Sequence, residues 1–475
     1  MPSCAPWVGL IEHYAPQKKP RVPLRRLFAK APEAIQALKP CLMLSPATVA
    51  EVLTPGAMTF DLLVIDEASQ MKPEFAMGAL ARSAKAVIVG DEMQLPPTEF
   101  FNRSRDDGDD SDDEDAADAV RHESILALAN ATLKPERQLL WHYRSRHESL
   151  IAYSNQQFYD EKLVVFPAAR APSGGKLGVS FERIEGAKYT PGSRVNTDEA
   201  NAIVTAAIER MKTQPNRSLG LVAMNTTQRD YIQDRFNQMS DGDVDVQNYL
   251  NSWLAEGLDP FFIKNLETVQ GDERDAILIS ATYGPDQNNG TVMQRFGPIN
   301  GAHGHRRLNV LFTRARLETA VFASLTANDI RAEPGAAPGL VAFKGFLAYA
   351  ATGTLPPSAI TSGELESPFE AHVAKLLEER GFEVEPQVGV AGYRIDLGVK
   401  HPSFPHGYIA GVECDGATYH SAASARDRDR LRQEALERLG WTIIRVWSTD
   451  WFENPKGEVN RLIERLEEAA RSAAP

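Results

Sequence analysis

The sequence is short of cysteine. Cys4, Cys41 and Cys414 are the only three in 475 residues; they are far apart, and no CxxC pair occurs. That excludes a disulfide framework and a cysteine-based zinc cluster, and it predicts reduced thiols in a cytoplasmic setting. No apolar run approaches the roughly 20 residues that a membrane helix needs, so no membrane partner is expected. The first residues, MPSCAPWVGLIEHYAPQKKP, lack the basic-then-apolar layout of a secretory signal. There is no internal repeat. Acidic residues outnumber basic ones, 64 to 51, giving a formal net charge of −13. Much of that excess is local. Asp106–Asp118 (DDGDDSDDEDAAD) holds nine carboxylates, and without them the net charge would be −4. Such a run reads as a solvated, disordered insertion, or else as an autoinhibitory segment that mimics nucleic acid. The acidity therefore neither supports nor excludes a nucleic-acid partner. The length predicts about three domains.

What is present is organised around Phe60–Gln70, FDLLVIDEASQ. The apolar run Leu62–Ile65 suits a parallel strand buried on both faces. It ends in Asp66 and Glu67, and ligands in open α/β sheets sit just beyond the carboxyl ends of strands. Two carboxylates there can hold Mg²⁺ and polarise a water beside a nucleotide phosphate. The plainer alternative is an acidic turn. Around this strand, Leu42–Leu44 reads as a short strand and Ala47–Leu53 as a helix stopped by Pro55-Gly56. Glu74–Ser83 reads as a helix, and Ala86–Val89 as a strand running into GDEMQLPP.

DEASQ, followed about twenty residues on by GDEMQLPP, resembles motifs II and III of superfamily 1 helicases, in the branch of the nonsense-mediated-decay helicase. The resemblance implies that Asp66 holds Mg²⁺, that Glu67 orients the attacking water and that Gln94 senses the γ-phosphate of ATP. Further on, WHYRSR resembles the step that supplies an arginine to that phosphate, here Arg144. Leu219–Ala223 reads as a strand leading into Asn225-Thr226-Thr227-Gln228, where the family contacts the nucleic-acid backbone. LETVQGDERDAILIS resembles motif V, with Gly271 for close backbone approach and Glu273 as acceptor from a ribose hydroxyl. RRLNVLFTRAR resembles motif VI, with Arg314 as the second γ-phosphate arginine. Two guanidiniums stabilise charge spread over the transferring phosphoryl oxygens.

No GxxxxGK[ST] occurs, and SGGKL at 173–177 has the wrong spacing. That loop supplies backbone amides, a lysine and a Mg²⁺-ligating hydroxyl. The resemblance thus covers residues 40–330 without its first motifs. The expectation is the C-terminal portion of a helicase whose P-loop comes from a preceding segment or a separate chain. The ATPase core should be inactive in this chain alone, and the first sheet should have an unprotected edge.

Past a linker at 331–367 that contains a short helix, a compact unit begins at Pro368. Phe369, Val373, Leu376 and Leu377 lie at helical spacing beside Glu370, and Gly381 ends the helix. YRIDLGV carries Asp396 on a strand. YIAGVECD puts Glu413 and Asp415 on one face of another. If those strands pair antiparallel, Asp396 approaches Glu413, and close carboxylates repel unless a cation lies between them. The set Glu370, Asp396, Glu413, Asp415 and His420 resembles the PD-(D/E)xK nuclease fold, in the branch of the very-short-patch-repair endonuclease. It implies Asp396 and Glu413 as ligands of Mg²⁺ or Mn²⁺, with Glu370 nearby. The usual lysine is Asp415 here, which leaves the water-activating group open, with His420 one candidate. Ala425–Leu439 reads as a helix dense in arginine, suited either to backbone grip or to self-pairing in solvent.

The fold expected is α/β: two RecA-like parallel-sheet lobes, the first incomplete (1–130 and 131–330), then the linker and a restriction-endonuclease-like α/β domain at 368–475. The function expected is an ATP-dependent helicase–nuclease acting on DNA, in repair or in defence against foreign DNA, with RNA left open. The alternatives are an ATP-independent nuclease with the lobes as a DNA-binding arm, and a non-catalytic binding module.

Overall fold

The computed structural model describes residues 13–16, 22–97, 123–169, 177–255, 261–355, 367–389, 393–402, 404–405, 407–415 and 423–473. The acidic run 106–118, the string at 173–176 and His420 lie outside these. The chain divides into two compact units, Met1–Arg137 and Gln138–Pro475. It is α/β throughout, and no described helix is long and apolar enough to cross a membrane.

The first unit is built on a two-stranded parallel sheet, β1 (Leu63–Ile65) with β2 (Ala86–Ile88). Helix Pro46–Val52 is N-capped by Ser45, whose Oγ accepts from the Thr48 amide. Helix Pro73–Leu80 connects the two strands. Ile65 and Ala68 are buried, with Ala76, Ile125 and Leu126 packed about them. Expectation and structure part on the strand's outer residues. Leu62 is 52% exposed, Val64 58% and Val87 46%, so β1 is not covered on both faces. Leu42–Leu44 forms no strand, and Met43 is 98% exposed. A strand needs a paired neighbour to fix its backbone, and neither residue set has a further one among the described residues. Hydrogen exchange should therefore find the amides of residues 60–90 weakly protected, and strong protection in the monomeric chain would contradict this sheet.

The second unit begins with β3 (Trp141–His142) parallel to β4 (Val164–Val165), bracketing helix Ser149–Phe158. Then comes a five-stranded, all-parallel sheet, in the order β5 (Gly178–Arg183), β9 (Ala315–Ala323), β8 (Arg274–Ser280), β6 (Leu219–Ala223), β7 (Phe261–Asn265). β6 is buried along its whole length, as its unbroken apolar run predicts. Its core is packed by helix Thr197–Thr213 through Ile203, Val204 and Ala207. The helix expected inside the linker, Pro338–Thr352, is built into this unit. Phe346 stacks on Phe312 at 3.5 Å, and Tyr153 Oη donates to the Ala342 carbonyl at 2.7 Å.

A mixed four-stranded sheet follows, β10 (Glu383–Val388), β11 (Ile395–Lys400), β12 (Ala410–Asp415), β13 (Ile443–Trp447). β10, β11 and β12 pair antiparallel in turn, and β13 is parallel to β12. Helices Pro368–Glu379 and Pro455–Ala473 bury Val373, Leu377, Leu462 and Leu466 against it. The four-stranded sheet packs against the segment that follows β4. Phe166 and Ala169, just past β4, share an apolar cluster with Ile395, Leu436, Trp441 and Ile443.

Candidate functional site

Two groups of chemistry-bearing residues stand at strand ends. In the first unit, Asp66 follows β1, and its Oδ1 accepts from the Glu67 amide at 2.9 Å. Glu67 sits at φ +52, a left-handed conformation that non-glycine residues rarely adopt. Gln70 Nε2 donates to Glu67 Oε2 at 2.9 Å and fixes that carboxylate. Gly90 passes so close to the same turn that a Cβ would lie 2.9 Å from the Ser69 nitrogen. Gln94 is held beside it, its Nε2 donating to Asp91 Oδ2 at 3.3 Å. Both carboxylates are exposed.

In the second unit, Arg144 follows β3 in a turn closed by His142, whose Nε2 accepts from the Ser145 amide at 3.2 Å. Burial, helped by the charge of Arg144, pulls His142 down to about 4, so it is neutral at physiological pH. Arg144 pairs with Glu273 at 3.0 Å, and Arg316 approaches the same carboxylate at 3.8 Å. All three are about two-fifths exposed, so screening makes these pairs weak. The residue expected to accept from a ribose thus holds two arginines. Gly271 stands at φ +84 in open space, which accounts for glycine there. Arg314, expected to reach a phosphate, is 5% exposed. Its Nε donates to the Val310 carbonyl at 2.8 Å and its Nη2 to Thr313 Oγ1 at 3.3 Å. Gln228, expected at the nucleic-acid backbone, is fully buried, donating to the Asn196 carbonyl at 3.0 Å.

Gln228 belongs to a polar core that sequence reasoning missed. Glu199, fully buried, accepts from Ser280 Oγ (2.6 Å), the Thr282 amide (2.5 Å), the Ser324 amide (3.2 Å) and Asn196 Nδ2 (3.4 Å). Burial pushes it up to about 7 against the pull of those donors. Its acidic place in the first turn of a helix reads as an ordinary dipole-matched residue, and only the fold brings the ends of β8 and β9 to it. Glu199→Leu strands those donors and should cost about 3 kcal/mol or more, read as a lower denaturation midpoint.

In the C-terminal sheet the register Leu397↔Val412 sets Asp396 and Glu413 side by side where β11 and β12 part. Asp396 Oδ2 accepts from the Cys414 amide at 2.7 Å. Glu413 is half-buried. Burial, and next the charge of Asp396, push its carboxyl up to about 7, while a hydrogen bond from Tyr393 Oη to its Oε1 at 2.8 Å holds it back. The Cys414 thiol is pushed up by burial and then by the charges of Asp396, Glu370, Glu413 and Asp415. Asp415 has Arg445 Nη1 at 3.8 Å. Glu370, buried in the first turn of helix Pro368–Glu379, accepts from Gln387 Nε2 at 3.1 Å. Gln387 stands at φ +53 and drops out of the β10–β11 pairing opposite Asp396. Such a left-handed residue costs on the order of 1 kcal/mol and is held here by its neighbours. Neither Gln387 nor Tyr393 carries a signal in sequence that would single it out.

Among the described residues no group of three or more His, Cys, Asp or Glu stands ready to cage a metal. The Asp396–Glu413 pair still fits a divalent ion by its chemistry. Two hard oxygen donors, one half-buried and destabilised by the other, suit Mg²⁺, which is usually held by one or two carboxylates and completed by water and phosphate oxygens.

Residues 47–101 and 122–326 match two family models, each described as AAA domain, and residues 369–466 match the model REase_MTES_1575. The chain thus combines helicase-family domains with a restriction-endonuclease-like domain. It is similar to the uncharacterized ATP-dependent helicase MG140 homolog of Mycoplasma pneumoniae, 29% identical over 438 residues, 87% of this chain and 37% of that protein. It is also similar to the uncharacterized ATP-dependent helicase MG140 of Mycoplasma genitalium, 28% identical, covering 92% of this chain and 40% of that one. The DNA replication ATP-dependent helicase/nuclease dna2 of Schizosaccharomyces pombe is 24% identical over 56% of this chain and 19% of its own length. The chain spans about two fifths of the length of the Mycoplasma proteins.

Proposed function

We propose that this chain belongs to an ATP-driven helicase–nuclease acting on DNA, and that its C-terminal domain hydrolyses phosphodiester bonds with a divalent metal ion. The observation that carries the reading is the juxtaposition of Asp396 with a half-buried Glu413 at the parting of β11 and β12. Asp396 and Glu413 would hold Mg²⁺ or Mn²⁺, which would supply charge stabilisation for the developing phosphorane and a more acidic water. Around it, Tyr393 orients Glu413, the Cys414 amide orients Asp396, and Gln387 orients Glu370. Asp415 lies on the same strand end and His420 follows in the sequence as a proton-transfer candidate.

On the helicase side Asp66 would hold the Mg²⁺ of ATP and Glu67 would orient water, with Gln94 beside them. Arg144, Gly271, Glu273 and Arg314 would serve the nucleotide from the second unit. The P-loop would come from sequence outside these 475 residues or from another chain. A role in DNA repair or in defence against foreign DNA, and a cytoplasmic location, fit this build.

A second reading, a nuclease that needs no ATP and uses its helicase lobes as a DNA-binding arm, is favoured by the burial of Arg314. Cleavage of labelled DNA with and without ATP separates them. Helicase control predicts that Arg144→Ala, in the chain restored with its P-loop, removes the ATP effect. Unchanged cleavage in every case would support the arm.

A further inference from the structure

The nuclease-like domain does not hold its own candidate centre unaided. The ring of Tyr393, whose hydroxyl bonds Glu413, lies 5.0 Å from the ring of Phe166. Phe166 comes from the helicase-side segment, more than 200 residues earlier in the chain, and is 4% exposed. Trp141 packs edge-on against it at 5.6 Å. The segment is pinned on both sides. The Ala168 amide donates to Glu148 Oε2 at 2.8 Å, within the turn region that carries Arg144. Towards the nuclease, Trp441 Nε1 donates to the Pro167 carbonyl at 2.9 Å, and the Tyr408 amide donates to the Ala169 carbonyl at 2.8 Å. In a chain whose two sheets were merely tethered, none of these contacts would be needed.

We propose that helicase-side residues 164–169 complete the nuclease centre: Phe166 seats Tyr393, and Tyr393 is the positioning residue that holds the Glu413 carboxylate toward its metal ion. This rests on the nuclease reading above. A glutamate at a strand end can rotate about three side-chain bonds, and a donor fixed by packing restrains its carboxylate. Partners of this kind around a metal ligand typically contribute about 10–100-fold in metal affinity. The consequence is that the metal site is sensitive to the state of the helicase-side turn.

The test counts Mn²⁺ binding by electron paramagnetic resonance on the full chain carrying Asp66→Asn, so that only the C-terminal site is read. Tyr393→Phe keeps the ring and removes the hydroxyl, and should weaken Mn²⁺ about tenfold with little change in thermal midpoint. Phe166→Leu keeps an apolar side chain but removes the seat, and should weaken Mn²⁺ several-fold at temperatures where the chain is fully folded. If Phe166→Leu lowers the thermal midpoint yet leaves the affinity as it was, Phe166 only packs and the proposal is overturned. Unchanged affinity in Tyr393→Phe overturns it as well. If Mn²⁺ binding in the Asp66→Asn chain is no tighter than in Asp66→Asn with Asp396→Ala, the nuclease reading itself fails and takes the proposal with it.

Discussion

Glu413→Gln should make the metal-free chain more stable at neutral pH while abolishing its cleavage of DNA. The two signs come from one cause. Burial and the charge of Asp396 lift Glu413 from the ordinary 4.5 to about 7. The folded chain therefore binds this proton more tightly than the unfolded chain does. The stability this gives is complete below about 4.5 and is lost as the pH rises through about 7. A glutamine of the same shape never ionises and escapes that loss, and its carbonyl still accepts from Tyr393. The variant's advantage should grow between pH 5 and pH 8 to on the order of 2–3 kcal/mol, read by urea denaturation with EDTA present. Cleavage should fall by about 10³-fold or more, the equivalent of ~4 kcal/mol of transition-state stabilisation. A variant that is less stable at pH 8, or that still cuts well, would show that this carboxylate is not a strained ligand.

The second large effect concerns ATP. The purified chain should hydrolyse it at background rate, and DNA should not stimulate it. The sequence contains no GxxxxGK[ST] to cradle the phosphates. Arg314 is bonded inside its own helix end, and Glu273 is occupied by Arg144 and Arg316. An arginine that reaches the transferring phosphoryl group contributes about 10³–10⁵-fold, so its withdrawal alone leaves little turnover. Phosphate release measured with and without single-stranded DNA checks this. Robust DNA-stimulated release would mean that the nucleotide residues of the two units suffice without that loop.

Strand-end motifs were the most legible part of the sequence. Asp66 and Glu67 drew notice because the apolar run before them stops in carboxylates, and Asp396 and Glu413 because antiparallel pairing of their strands would set them side by side. The antiparallel pairing of β11 with β12, a condition of that reading, is present in the structure. Burial around β1 was not legible. Its apolar run promised cover on both faces, but cover depends on a neighbour that a local pattern does not encode. The burial of Arg314 and Gln228 was not legible for a related reason: a motif gives residue type and order, while the direction of a long side chain is decided by packing. The helix Pro338–Thr352 read as part of a linker because the surfaces it covers, among them Phe312, Phe296 and Tyr153, come from distant parts of the chain. Phe166 and Tyr393 were invisible because their contact joins parts of the chain far apart in sequence.

The account stands or falls on the carboxylate pair of the C-terminal sheet. The direct measurement is cleavage of single- and double-stranded DNA by the purified chain in Mg²⁺ or Mn²⁺, without ATP, beside Asp396→Ala and an EDTA control. The account predicts metal-dependent cutting by the wild type and none by the variant. Cutting that survives both Asp396→Ala and EDTA, or a wild type that binds DNA and never cuts it in either metal, would contradict it.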